Sequence, residues 1–128
     1  KFFLNFQSDL EKIYKKDWDS LFLLNLELIN FFKEYFNIKN KLYVSSELNI
    51  NGHGNEKLVN ICKHFDAKYF VVKKKTEDYH PKEYFNNYGI DFKYHENTHA
   101  EYKQTGNAFI PNLSILDYAA NNGDKLMI

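Results

Sequence analysis

The sequence predicts an α/β fold built on an open, mostly parallel sheet with flanking helices. Apolar residues recur at helical spacing through the first third of the chain. Beyond Lys41, apolar runs of strand length alternate with helix-length segments. That alternation requires crossover connections, which set successive strands parallel in one sheet. The 128 residues read as a single α/β domain. With 12 Phe, 10 Tyr and 1 Trp to fill a core, a disordered chain is excluded.

Ser8 or Asp9 caps a first helix running to Lys16, with Leu10, Ile13 and Tyr14 on one face. Asp19 or Ser20 opens a longer helix to about Phe36. Its apolar positions Leu21, Leu24, Leu28, Phe31, Phe32 and Tyr35 are expected to pack on the sheet. Asn25 lies inside this stretch and needs a hydrogen-bond partner if buried. Lys41–Ser45 reads as a strand, and Asn49–Gly54 as a loop rich in turn formers. In Asn55–Phe65 the spacing is again helical, with Leu58, Ile61, Cys62 and Phe65 on one face. Lys68–Val72 is a nearly continuous apolar run, the pattern of a strand covered on both faces. Pro81 and Gly89 bracket a short helix. Asp91–His95 alternates as a strand, and a last helix spans Leu113–Asn121 before Gly123.

Composition narrows the partners. The chain has 17 Lys, no Arg, 17 acidic residues and zero formal net charge. A nucleic-acid binder normally carries a basic excess, so that class is set aside. Without Arg there is no bidentate fork for carboxylate or phosphate, and an anion must be held by Lys, His or backbone N–H groups. The single cysteine, Cys62, rules out an intramolecular disulfide and suits a reducing, cytoplasmic setting. The longest apolar run, Leu21–Leu24, is far below the roughly 20 residues of a membrane span. No secretory signal is visible.

Ligands of open α/β sheets bind beyond the carboxyl ends of the strands. Three segments fall there: Ser45-Ser46-Glu47 with the Gly52/Gly54 loop, Lys73–Tyr79, and His95–Gly106. The region gathers His53, His80, His95 and His99. His95-Glu96-Asn97-Thr98-His99 matches H-E-x-x-H, which on a helix places two His ligands around zinc with Glu as base, a metal-dependent hydrolase pattern. Here Ile90, Phe92 and Tyr94 lead into it with strand alternation, so the context opposes a zinc site. Lys73-Lys74-Lys75 reads as a phosphate contact or, equally, as a solvated charge run. Ser45 and Ser46 lack a nucleophile elbow and serve a turn as readily as a substrate. Gly52-His53-Gly54 lacks the spacing of a phosphate loop, and His64 falls on a helix surface. Cys62, on an apolar helix face, reads as a core thiol rather than a nucleophile.

Taken in order, the segments Ser45-Ser46-Glu47-Leu48, Leu58–Lys63 running into Ala67-Lys68-Tyr69-Phe70, and Asp78-Tyr79 resemble the WbqC-like protein family. His99-x-x-Tyr102-x-Gln104, Phe109–Asp117, Asn122-Gly123, Asn25 and Leu28 extend the resemblance over the chain from about Asp9 onward. It implies a Rossmann-like α/β fold, and a bacterial protein linked to surface polysaccharide (O-antigen) biosynthesis. The implied activity is transfer of an aminoacyl group such as glycine to an amino sugar, with a nucleotide-linked amino sugar as small-molecule partner. Family members begin with a strand and a His-Gln-Pro motif, absent here, and the chain starts at Lys1. The expectation is therefore the C-terminal half of such a protein, truncated at the N-terminus.

The resemblance assigns the site to Ser45, Ser46, Glu47, Asp78, Tyr79, His99, Tyr102 and Gln104. His99 is the implied general base, since an imidazole titrates near neutrality. Glu47 would orient His99 or the sugar amine, while Tyr102 and Gln104 would bind sugar hydroxyls or else fix a long loop onto the sheet. The family's loop after the second strand is rich in small residues; here it is Lys73-Lys74-Lys75. The resemblance assigns no particular cofactor and leaves the use of ATP open. A noncatalytic nucleotide- or sugar-binding module is the competing reading.

Overall fold

A computed structural model describes residues 1–73, 79–95, 101–106 and 108–126. The chain divides into two compact units, Lys1–Asn40 with the described residues of His99–Ile128, and the described residues of Lys41–Thr98. No helix among the described residues is long and apolar enough to cross a membrane.

The first unit is helical. A 3-10 turn at Phe3–Asn5 leads into α1 (Gln7–Lys15), which buries Leu10 and Ile13. Where α1 stops, its orphaned Ile13 carbonyl accepts a hydrogen bond from the Trp18 indole N–H at 2.8 Å, and Lys16 lies over the Trp18 ring. Ser20 starts α2 (Leu21–Tyr35) as expected of a cap, its Oγ accepting from the Leu23 N–H. Ser114 does the same for α5 (Ile115–Asn122) through the Leu116 N–H, and Gly123 ends that helix at φ 75°, a conformation open to glycine.

The core of this unit is Phe6, Leu10, Phe36 and Ala119, with Phe31, Phe32 and Tyr35 packed against it. Phe6 is its hub, with ring centroids 5.0 Å from Tyr35, 6.2 Å from Phe31 and 6.3 Å from Phe32. Helical neighbours thus receive the apolar stripe of α2 that the sequence pattern assigns to a sheet. The stripe is wider than this core needs: no residue of α2 is fully buried, and Leu21 and Phe22 are 71% and 54% exposed. Asn25 is exposed, so it carries no buried-polar cost.

In the second unit, β1 (Tyr69–Lys73) and β2 (Asp91–His95) pair in parallel, from Tyr69 opposite Asp91 to Lys73 opposite His95. Parallel pairing needs a crossover, supplied by the segment carrying α4 (Lys82–Asn86). α3 (Gly54–His64) precedes β1 and contributes Val59 and Cys62 to a core shared with Val72, Phe85, Ile90 and Phe92. Phe85 is completely buried, stacked on Phe70 at 5.0 Å and tilted against Phe92 at 5.0 Å. Burial raises the Cys62 thiol pKa, which keeps it protonated and suits the core role.

Two expectations fail here. Lys41–Ser45 forms no strand: residues 41–44 join no ladder and 45–49 form a turn, with the Glu47 N–H bonded to the Val44 carbonyl. Its alternation covers five residues and specifies no pairing edge, while Tyr43 settles instead on the Phe65 ring at 4.6 Å. The described sheet therefore has two strands, not three. Nor is β1 covered on both faces. Phe70 and Val72 face the core, whereas Tyr69 and Val71 are 50% and 62% exposed. A short apolar run does not by itself distinguish a doubly covered strand from one with an open face.

Candidate functional site

The carboxyl ends of β1 and β2, at Lys73 and His95, lie side by side. The first two turns of α3 collect the neighbouring loops. Asn60 donates through Nδ2 to the Asn51 carbonyl at 3.1 Å, holding the loop after Ser45-Ser46-Glu47 against the helix. Gly52 makes that approach feasible: its φ is 107°, and a Cβ there would lie 3.1 Å from the Lys57 backbone nitrogen. One turn earlier, Asn55 reaches the segment beyond β1, donating through Nδ2 to the Tyr79 carbonyl at 3.3 Å. Its Oδ1 lies 2.9 Å from Nδ1 of His80.

The Tyr79 ring, beyond β1, is 76% exposed. Ser45, Ser46 and Glu47 are exposed on a turn that ends no strand and follows Tyr43, which packs on Phe65 at the far end of α3. His53 precedes α3 without capping it. Asp78, Lys74, Lys75 and His99 lie outside the described residues. So does Glu96, and of the zinc pattern only His95 is described, as the last residue of β2 rather than a helical one. Among the described residues no three His, Cys, Asp or Glu side chains gather as a metal site.

Tyr102 and Gln104 belong to the helical unit, where they are built into a network. The Tyr102 hydroxyl donates to Asp117 Oδ2 at 2.7 Å. Gln104 donates through Nε2 to the Ile110 carbonyl at 2.9 Å and to Asp117 Oδ2 at 3.3 Å, while its Oε1 accepts the Ile110 N–H at 2.7 Å. Asn121 completes it by donating to Asp117 Oδ1. Burial, and then the hydrogen bond to Asp117, raise the Tyr102 pKa. The two residues thus tie the 101–110 loop to α5. Gln104 also borders a cleft of about 630 Å³ with Lys1, Phe2, Lys103, Thr105, Gly106 and Asn121. A second concavity of this unit, about 600 Å³ and mostly apolar, lies between α1, α2 and α5, with Asn25, Lys33 and Ser114 among its polar contributors.

A family model described as the WbqC-like protein family matches residues 1–127. The chain belongs to this family. The match begins ahead of Asp9, the point from which the sequence resemblance runs, and takes in the 3-10 turn and Phe6. No curated protein and no solved structure is significantly similar to the chain. Within the WbqC-like frame, Ser45–Glu47 and Tyr79 fall in the strand unit, and Tyr102 and Gln104 in the helical unit. Sequence reasoning missed the role of Asn55. An Asn in the first turn of α3 was the available signal, but its partners Tyr79 and His80 are 24 and 25 residues away.

Proposed function

We propose that this WbqC-like protein is a cytoplasmic transferase that joins an aminoacyl group, such as glycine, to a nucleotide-linked amino sugar for bacterial surface polysaccharide. The observation that carries the reading is the family match over residues 1–127. It is supported by exposed polar residues at the strand ends, where ligands of parallel α/β sheets bind. In this reading His99 is the general base that takes a proton from the sugar amine, and Glu47 orients the base or the amine. Ser45, Ser46, Asp78 and Tyr79 contact the substrate. The geometry of Tyr102 and Gln104 favours a supporting role, since their polar atoms are engaged by Asp117 and Ile110.

The test uses the full-length protein with a panel of nucleotide-linked amino sugars and activated glycine donors, read by mass spectrometry of the sugar product. Glycylated sugar is the expected result, with turnover lost in His99→Ala while circular dichroism stays native. A folded wild-type protein that turns over no member of the panel sinks the transferase. Tight sugar binding without turnover would favour the noncatalytic module.

A further inference from the structure

The histidine that the described geometry prepares for a ligand is His80. Asn55 uses Nδ2 on the Tyr79 carbonyl, which turns its Oδ1 toward the His80 ring. An amide oxygen only accepts, so the His80 Nδ1 facing it at 2.9 Å carries the hydrogen. In the neutral ring the hydrogen is then absent from Nε2, and the lone pair sits there. Phe70 of β1 and Phe85 of α4 meet the ring edge to face at 5.7 and 6.4 Å, with interplanar angles of 86° and 88°. Three elements therefore fix one half-buried ring. No buried nitrogen or oxygen among the described side chains lacks a partner, and among the described residues His80 has no hydrogen bond beyond the one to Asn55. It follows that Nε2 reaches solvent.

We propose that His80 is a preset hydrogen-bond acceptor at the strand-end site, with Nε2 receiving an N–H or O–H of an amino sugar and Asn55 acting as the positioning residue. His80 lies on the segment that follows β1 and carries Tyr79 on its way to α4, and Asn55 reaches it from the first turn of α3. The proposal deepens the transferase reading and rests on it for the class of ligand; the ring's tautomer and access rest on the geometry alone.

Long-range ¹H–¹⁵N correlation of the His80 ring, in the full chain near pH 8 where ordinary imidazoles are neutral, tests the tautomer. The expected spectrum shows hydrogen on Nδ1 in the wild type and in Asn55→Asp, and its loss to the mixed tautomers of free imidazole in Asn55→Ala. Hydrogen on Nε2 in the wild type overturns the proposal. Diethyl pyrocarbonate, which acylates accessible neutral imidazole nitrogen, should modify His80 at Nε2, and an unreactive ring also overturns it. Titration with a UDP-linked amino sugar should move the Nε2 resonance, and His80→Phe should weaken binding about tenfold. Binding that leaves Nε2 and the His80→Phe affinity unchanged refutes the acceptor role but spares the transferase. A preset, reactive ring with no amino sugar bound supports the acceptor and counts against the transferase.

Discussion

At Gln104 the side-chain amide meets both backbone groups of Ile110, much as a strand neighbour would, and adds a bond to Asp117. Replacing it removes partners from groups on the 101–110 loop. Gln104→Ala is expected to lower stability by about 1–3 kcal/mol in urea unfolding, with faster amide exchange at Ile110. Gln104→Glu should be worse, because a carboxylate presents oxygen to the Ile110 carbonyl and to Asp117, where an amide presents hydrogen. Unchanged stability in both variants would return Gln104 to a ligand-binding role. These residues stand out in the sequence through family resemblance, which marks a position without saying whether its atoms face a ligand or the chain itself. The His80–Asn55 pair was illegible for a different reason: two ordinary polar residues 25 positions apart reveal nothing until β1 returns the chain to α3.

Among the elements, punctuation was the legible part. Ser20, Pro81 and Gly123 stand at the ends of their helices because each resolves a local problem, an orphaned donor or a backbone turn, within a few residues. By contrast, α1 starts at Gln7, ahead of Ser8 and Asp9, and Ser114 caps a helix that the pattern begins at Leu113. Strand pairing and sheet coverage were not legible, since Lys41–Ser45 and Lys68–Val72 depend on partners that local pattern does not name. The same contrast predicts mutational costs. Phe85→Ala should destabilise by about 3–5 kcal/mol, because it empties the centre of the β1–α4–β2 core. Leu21→Gln, on the more apolar α2 but in an exposed position, should stay within about 0.5 kcal/mol. Gly52→Ala should cost about 1–3 kcal/mol, combining a left-handed backbone with a crowded Cβ against α3. Denaturant midpoints of the three variants check this order, and a costly Leu21→Gln would show that the start of α2 is covered in solution.

For the whole molecule, balanced charge and abundant tyrosine set the response to pH. With 17 basic and 17 acidic residues and an isoelectric point near 7.1, solubility should pass through a minimum close to neutrality. Tyr35 and Tyr102 have raised pKa values chiefly from burial, and Tyr84 chiefly from its hydrogen bond with Tyr88. A raised folded-state pKa means that the unfolded chain loses the proton first. Stability from these phenols is thus complete below the ordinary tyrosine pKa of about 10 and is lost as pH climbs through the folded values. Alkaline unfolding, followed by phenolate absorbance and circular dichroism together, should begin in that range, and Tyr102→Phe should shift its onset upward relative to its own neutral-pH stability.

The lone tryptophan and the lone cysteine fall in different units. Trp18 is latched to the end of α1, whereas Cys62 is sealed in the core beside Phe85 and Val72. The molecule consequently carries two native reporters that need no labelling. Indole emission follows the fraying of α1, and reaction of the thiol with a chromogenic disulfide follows the opening of the strand unit. A melting curve recorded by fluorescence alone is blind to half of the chain, and a thiol-trapping curve is blind to the other half. Overlaid, the two reveal whether a substitution acts through one unit or through both.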